Sequence, residues 1–598
     1  MSKNKKNISP YLFITPGLII LTLGFFIPMI MLFSISFYKG IPGSGLIDRT
    51  FTIENYTRFA DPYYFKVLFV TFRIALGTTL LSLLLGYPLA ILINKTRGFA
   101  KTILLVTILT PLLTNVVART LGLMIILGRH GPINQFLELL NIPTFNFIPS
   151  EIGIIIGLTQ VFMPYMVMSI NSVLSNIDFS LQEAARDLGS SAFGAFWKVI
   201  FPLSVPGIIA GSLFVFLLSF SSYVTPRLLG GGQIMVMTTL IYQQATTLLN
   251  WPFAAAASLI LLVFTLVIVT AYTKILSGAD LRQIDTKKSS DEKISVWNKL
   301  KSNSKEFFYG INASLSRIFN RSAVISSIFA TIQKFLGIIA PLASKLIIIL
   351  IISFIILPLP LVILSSFSGS SMITFPPSSY STKWYTGLLS RPEYIRSFLL
   401  SVRLASLSMV VSLIVGTLAS LGLSRYNFPG REFIRSIFLS PLMLPAVIVG
   451  IALLRFLVEV RQTATFQGLF LAHLVLTSAY VIRTISSSLV GFDNTLNDAA
   501  RDLGASAFHA FRTITLPLIK PGLIVAAIFA FITSFDETTV SIFITGGRTI
   551  TLPVRIFSQL EYGLDPTVTA ISSLLIVMAL ITIMIIGKVF GLEKFSIQ

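Results

Sequence analysis

The chain has 598 residues, of which 54% are hydrophobic and only 12% are charged. Because soluble domains carry about a quarter charged residues, this composition excludes an ordinary soluble protein and indicates a helical membrane protein. The net charge of +21 would suit nucleic acid as a partner, but no basic and aromatic module is visible, and we expect no nucleic-acid binding. The absence of cysteine excludes disulfides and thiol chemistry. No metal site is predicted.

Apolar runs long enough to cross a bilayer as helices recur along the whole chain. They lie near residues 11–37, 66–94, 101–128, 152–175, 205–229 and 254–276, and again near 346–368, 396–424, 433–457, 467–490, 520–545 and 567–590. The basic segments Lys95–Lys101 and Arg425–Arg435 share one side of the membrane with the N-terminus and the central linker under the positive-inside rule. Both termini are therefore predicted to be cytoplasmic.

These spans divide into two membrane halves, residues 1–276 and 346–598, joined by a basic cytoplasmic linker at 277–345. The apolar end of the linker, Ile325–Leu342, is predicted to form an amphipathic helix on the membrane surface. A thirteenth span at this place is the alternative. It would invert the topology of the second half and break the positive-inside pattern.

The two halves are copies of one another. Pro111 matches Pro441 at an offset of 330 residues, and beyond a loop of unequal length Tyr165 matches Tyr480 at an offset of 315. Because each half has an even number of spans, the copies share one orientation and should be related by a pseudo-two-fold axis along the membrane normal. We predict an all-α polytopic membrane protein of about 12 spans, with a pathway between its two six-helix halves.

The best-matched stretch lies between the fourth and fifth spans of each half, at Glu183–Leu203 and Asp498–Leu518. Its residues predict a helix, a break and a second helix, because Gly189 can adopt a positive φ and Pro202 is expected to end the second helix. An ordinary amphipathic loop helix is the alternative, but it gives no reason for two copies at one topological position. We predict a surface of small residues that inserts into a partner's groove.

This stretch resembles the EAA motif of ABC importer permeases, although the second copy has Asp498 in place of glutamate. The resemblance implies the type I importer fold and a docking role for the motif, as a coupling helix on an ATPase subunit. The residues that it assigns to coupling are Glu183, Ala184, Ala185, Arg186, Asp187 and Gly189 in the first half, and Asp498, Ala499, Ala500, Arg501, Asp502 and Gly504 in the second.

Further stretches resemble the two separate permeases of spermidine/putrescine-type importers, in that order along the chain. They are Leu109–Gly122 and Asn250–Ser258 in the first half, and Ser534–Gly547 and Leu552–Leu575 in the second. The chain is therefore similar to a fusion of those two subunits. The resemblance implies a polyamine or a related amine or zwitterion as substrate. Aminoethylphosphonate, an opine, ferric iron and thiamine are the alternatives within the family.

The resemblance also implies the partners. The sequence contains no phosphate-binding GxxxxGK[ST] loop, so ATP and Mg would be bound by a partner ATPase dimer, and the chain itself would not be an enzyme. A soluble binding protein, periplasmic or a lipoprotein, would deliver the solute to the plasma membrane of a prokaryote. An ion-coupled secondary transporter is a further alternative, but it has no use for two EAA segments.

Asp536 and Glu537 are predicted to lie inside the fifth span of the second half, where ionisable groups cost about 2.5–3.5 kcal/mol each. They suit a cation site for an ammonium substrate. The alternatives are a gate or an internal ion pair with Arg119 or Arg455. The first half has serines at the matching positions, so any acidic site is one-sided. The further candidates for the substrate pathway are Arg119, Tyr223, Tyr480 and Thr538.

Overall fold

The structure is a computed structural model, and it describes residues 10–284 except 42, residue 343, and residues 345–590 except 372, 374, 491–494 and 564. The predicted surface helix and the alternative thirteenth span, both at Ile325–Leu342, lie outside these residues. The chain divides into two compact units, one made of Met1–Val269 with Ile355–Gln598 and the other of Thr270–Phe354. The first unit contains the packing between the two membrane halves.

The described residues contain nine helices that are long and apolar enough to cross a membrane. They are Tyr11–Ile35, Pro62–Lys95, Glu151–Leu174, Phe196–Phe220 and Trp251–Tyr272, and then Pro392–Arg425, Phe466–Leu489, Phe508–Asp536 and Pro566–Met584. Three further pairs raise the number to as many as 12: Gly98–Leu113 with Val116–Leu139, Lys345–Ile356 with Pro358–Ser366, and Arg431–Leu442 with Ala446–Glu459. We number these spans one to six in each half. The all-α fold of two six-span halves is confirmed.

Shorter elements join the spans. An antiparallel hairpin of the strands Tyr38–Gly40 and Ile47–Phe51 follows span 1 of the first half. Between spans 4 and 5 lie the helices Ser180–Asp187 and Ala192–Ala195 in the first half, and Thr495–Asp502 in the second, where the short helix Ala507–Ala510 leads into span 5. The helix of span 6 in the first half continues to Ile284, so the start of the predicted linker is helical.

Span 3 of each half is broken, which corrects the prediction of a continuous third span. The two limbs meet at 103° in the first half and at 94° in the second. Pro111 and Pro441 lie just before the breaks, where each lacks the N–H group that a continuing helix would use. In the first half Asn115 then starts the new limb, because its side-chain oxygen accepts two backbone N–H groups at 2.9 and 3.1 Å.

Span 5 of each half ends earlier than predicted, at Phe220 and at Asp536. Two short helices follow each span, and the first of each pair lies where the sequence suggested the last turns of the span. They are Val224–Leu229 and Met237–Tyr242 in the first half, and Ser541–Ile544 and Leu552–Tyr562 in the second. Most of their apolar side chains are buried in the central core. Hydropathy alone could not separate these buried helices from the spans, because both are apolar.

Pro202 does not end a helix, which corrects a further prediction. A π-helical turn at Phe196–Ile200 precedes it, and the helix continues through the proline to Phe220. The second half repeats this turn at Phe511–Thr515, before Pro517. A π turn shifts the backbone hydrogen bonds by one residue, which accommodates a residue without an N–H group.

The two halves interlock through their first spans. Within each half, spans 2, 4 and 5 pack on one another in the same arrangement, as the pseudo-two-fold relation requires. Tyr11–Ile35 packs against span 2 of the second half, whereas Pro358–Ser366 packs against the second limb of span 3 in the first. A Cβ atom at Gly122 would overlap the carbonyl oxygen of Pro358, so this crossing depends on glycine. Each half therefore contributes its first span to the interface with the other half.

Candidate functional site

Asp536 meets the first half of the molecule at the break in span 3. It is the last residue of span 5 in the second half, and its carboxylate accepts a hydrogen bond from the side-chain amide of Asn115. Because the oxygen of that amide caps the second limb of span 3, its nitrogen is directed at Asp536. At the repeat offsets of 315 and 330 residues the matching residues are Ser221 and Pro445, so the contact is one-sided.

Glu537 is adjacent to Asp536, but its carboxylate binds groups that lie a few residues further along the chain. Its carboxylate accepts the N–H groups of Val540 and Ser541, both at 2.7 Å, and the hydroxyl of Ser541 at 2.8 Å. These contacts cap the short helix Ser541–Ile544. The structure therefore separates the two acids that the sequence grouped, because only Asp536 reaches the other half.

Arg119 lies one helical turn beyond Asn115 and is 4% exposed. It is within electrostatic range of Asp536, but no direct ion pair joins the two among the described residues. Its Nε and Nη1 atoms have no hydrogen-bond partner. Arg455, the other partner considered for the acids, instead forms an ion pair with Glu459 at 2.6 Å, so that alternative is wrong.

Tyr165 and Tyr480 occupy matching positions in span 4 of the two halves. They are within electrostatic range of one another, and Tyr165 is also within range of Arg119. Their side chains are 40% and 37% exposed, although both lie near the middle of a membrane-spanning helix. Tyr480 was a predicted candidate, whereas Tyr165 was noted only as its repeat partner. The two tyrosines are therefore partly exposed at matching positions of the two halves.

Thr538 and Tyr223, by contrast, are both buried. The hydroxyl of Thr538 donates to the backbone carbonyl of Asp536 at 3.1 Å, and the residue is buried. Tyr223 is also buried, and its ring lies 4.9 Å from Tyr242 and 5.7 Å from Phe557 of the second half. Thr538 therefore supports the helix break, and Tyr223 belongs to an aromatic cluster that joins the halves.

An ion pair that sequence reasoning missed lies beside this cluster. Arg227, in the short helix Val224–Leu229, binds Glu561 of the second half through Nε at 2.6 Å and Nη2 at 2.5 Å. The only sequence signal was one isolated charge of each sign in short apolar helices. Because the ring of Tyr242 also lies 5.4 Å from Phe543, aromatic and ionic contacts both cross between the halves here.

A cavity of about 500 Å³ has Asp536 among its lining residues. Its walls come mainly from spans 2, 5 and 6 of the second half, and Leu113 and Asn115 of the first half close one side. Apart from Asn115, Asp536 and Thr582, the lining side chains are aliphatic or aromatic. The cavity therefore combines one acidic side chain with a largely apolar wall.

The predicted coupling segments have nearly identical backbones. Two residues after the helix Ser180–Asp187 lies Gly189, which has φ +89°, and two residues after the helix Thr495–Asp502 lies Gly504, which has φ +91°. In each copy the backbone N–H group of the residue that follows the glycine donates a hydrogen bond to a helix carbonyl at 3.0 Å, as in a Schellman motif. The predicted positive φ of Gly189 is thus confirmed, and the second copy repeats it.

Both segments expose a leucine at the helix end. Leu188 is 89% exposed and Leu503 is 90% exposed, at matching positions. Asp178 precedes the first segment and accepts the N–H group of Ser180 at 2.9 Å, which lowers the pKa of that carboxyl. Leucines left in solvent at two repeat-related helix ends form a pair of apolar surfaces on the same unit.

Known proteins with similar sequences bear on these features. Residues 82–277 and 411–591 match the family described as binding-protein-dependent transport system inner membrane component. The spermidine/putrescine transport system permease protein PotB of Escherichia coli (strain K12) is 38% identical over 245 residues, which cover 40% of this chain and 88% of that protein. PotC of the same strain is 30% identical over 233 residues, which cover 39% of this chain and 88% of that protein.

Among solved structures, a bacterial ABC transporter involved in the import of the acidic polysaccharide alginate matches 46% of this chain and 96% of that chain. The sequence identity is 18% and the TM-score is 0.37. The two family matches and the two kinds of relative confirm the resemblance to a fusion of two permease subunits. The chain therefore belongs to the binding-protein-dependent transport inner membrane components, the multi-pass permease subunits of ABC importers.

Proposed function

We propose that this permease imports a polyamine or a related small amine, which a periplasmic or lipid-anchored binding protein delivers. The observation that carries the proposal is the position of Asp536, in the lining of a largely apolar cavity and on the interface between the halves. The names of the relatives PotB and PotC agree with this substrate class. Asp536 acts as the acceptor for one ammonium group of the substrate.

The chemistry of the cavity suits such a molecule. A carboxylate has two oxygens, so Asp536 can keep the amide of Asn115 and still accept an ammonium N–H group. The aliphatic and aromatic wall offers contact to the methylene chain between amines. Inside a protein the charge–charge attraction is stronger than in water, which favours a cation at this position.

A zwitterionic amine is the second candidate, and Arg119 favours it. Two of its guanidinium nitrogens lack hydrogen-bond partners although the residue is buried. A phosphonate or carboxylate would accept those donors, while Asp536 would hold the amine. Aminoethylphosphonate represents this class.

ATP drives transport through the two EAA segments, each of which docks on one subunit of an ATPase dimer. Leu188 and Leu503 support this role, because they expose apolar surface that a partner groove would bury. The positive-inside pattern supports a cytoplasmic location for the segments and for both termini. ATP binding moves the segments together and opens the halves outward, provided that ATP binds the two states with different affinities.

The two substrate classes can be separated with the complex of permease, ATPase and binding protein in proteoliposomes. Purified binding protein loaded with spermidine or with aminoethylphosphonate is added, and ATP hydrolysis is measured. We expect spermidine to stimulate hydrolysis, since Asp536 alone suffices to hold an amine. Stimulation by aminoethylphosphonate alone would favour a zwitterionic substrate over a polyamine. Stimulation by neither compound would contradict both proposed substrate classes.

Replacing Gly189 and Gly504 together with valine should lower coupled uptake at least about tenfold. A residue with a Cβ atom costs about 1–2 kcal/mol in the left-handed region, and no atom lies within 4 Å of the added Cβ in either copy, so backbone strain is the only direct cost. The pair of asparagine variants should retain uptake within about twofold, because asparagine tolerates positive φ. Gly547→Val is the control, since this glycine also faces open space but lacks a positive φ.

A further inference from the structure

His473 joins the two sides of the helix break that carries Asp536. The residue lies in span 4 of the second half and is 1% exposed. Its Nδ1 atom lies 2.8 Å from the hydroxyl of Ser534, before the break. Its Nε2 atom lies 3.0 Å from the hydroxyl of Ser541, after the break.

The direction of each hydrogen bond follows from Glu537. The hydroxyl of Ser541 has one hydrogen, which it donates to the carboxylate of Glu537 at 2.8 Å. It must therefore accept a hydrogen from Nε2 of His473, so the neutral ring carries its proton on Nε2. Nδ1 is then the acceptor for the hydroxyl of Ser534. Every polar atom of the imidazole is used within this network.

The first half retains only one member of the network. At the offset of 315 residues, His473 and Ser541 are matched by Leu158 and Pro226, whereas Ser534 is matched by Ser219. The hydroxyl of Ser219 has no hydrogen-bond partner. The imidazole bridge is thus present in the half that contains Asp536 and missing from the half that does not.

We infer that His473 is a positioning residue, which by bridging Ser534 and Ser541 holds the helix break so that Asp536 stays at the interface between the halves. Asp536 itself is bracketed by the two contacts, two residues after Ser534 and five before Ser541. Without the bridge, span 4 no longer fixes the end of span 5 relative to the short helix. The inference rests on the proposed role of Asp536 as the amine acceptor.

The test measures initial spermidine uptake by the complex of permease, ATPase and binding protein in proteoliposomes. His473→Leu, which introduces the residue of the first half, should lower uptake about tenfold, as expected when a polar bridge at a binding group is lost. His473→Gln keeps a donor at the position of Nε2 and should restore uptake to within about threefold of the unchanged protein. Ser534→Ala should reduce uptake, whereas the matched control Ser219→Ala should not.

A double-mutant cycle with Asp536 distinguishes positioning from a general structural role. If His473 acts through Asp536, then His473→Leu should cause little further loss in a protein that already carries Asp536→Asn. A loss that multiplies in the double variant would overturn the inference, as would equal effects of Ser534→Ala and Ser219→Ala. Normal uptake by His473→Leu, with impaired uptake by Asp536→Asn, would overturn the inference about His473 but leave the proposed amine site standing. Normal uptake by Asp536→Asn would overturn it together with the proposed amine site.

Discussion

Asp536→Asn should reduce ATP-driven spermidine uptake about 10- to 100-fold. The change keeps the size of the side chain and removes its charge, and a hydrogen bond to a charged group contributes about 1.5–3 kcal/mol. Uptake is measured in proteoliposomes with saturating loaded binding protein, so that delivery does not limit the rate. The basal ATP hydrolysis of the complex is recorded in parallel, because an intact complex should still assemble.

Ser221→Ala is the matched control for this prediction. Ser221 occupies the position of Asp536 in the first half, and its hydroxyl donates to the backbone carbonyl of Leu217 at 2.7 Å. Because the first half has no acidic group at this position, loss of the Ser221 hydroxyl should change uptake by less than about twofold. Equal defects in Asp536→Asn and Ser221→Ala would contradict a one-sided amine site.

Replacing Leu188 and Leu503 together with aspartate should weaken ATPase binding at least about 100-fold. Burying one leucine contributes about 1.5–3 kcal/mol, and both side chains lie in solvent until a partner covers them. A charge in an apolar groove adds a desolvation cost. The measurement is the amount of ATPase that copurifies with the permease over a range of concentrations.

Leu389→Asp is the control for the leucine pair. Leu389 is 77% exposed at the end of the helix Lys383–Leu389, between spans 1 and 2 of the second half. The predicted topology places it on the opposite side of the membrane from the EAA segments, so this change should leave ATPase binding intact. If the leucine pair changed nothing, or if Leu389→Asp had the same effect, docking through the helix ends would be wrong.

The sequence predicted the number of spans and the repeat because both depend on patterns that are visible locally. Runs of apolar residues indicate spans whatever their packing. The repeat has a glycine at the same place in each coupling segment, which predicted a positive φ there, because few residues other than glycine adopt that conformation. These features needed no knowledge of what lies beside them in space.

The breaks in span 3 and the candidate site at Asp536 involve contacts between residues that lie far apart in the sequence. The hydrogen bond of Asn115 to Asp536 joins positions 421 residues apart, and apolarity gave no sign of the bend that brings them together. The sequence placed Asp536 and Glu537 in one site, but the chain turns between them, and the second carboxylate caps the next helix. His473 gave no signal, because a lone histidine in an apolar helix has no partner until the helices pack.

ATP-dependent accumulation of labelled spermidine tests the central claim most directly. Proteoliposomes containing the permease with its ATPase are supplied with loaded binding protein on one side of the membrane and ATP on the other. We predict accumulation against a gradient only when ATP, ATPase and binding protein are all present, and its loss in the variant with aspartate at Leu188 and Leu503. Accumulation by the permease alone, driven by a proton or sodium gradient, would contradict the account.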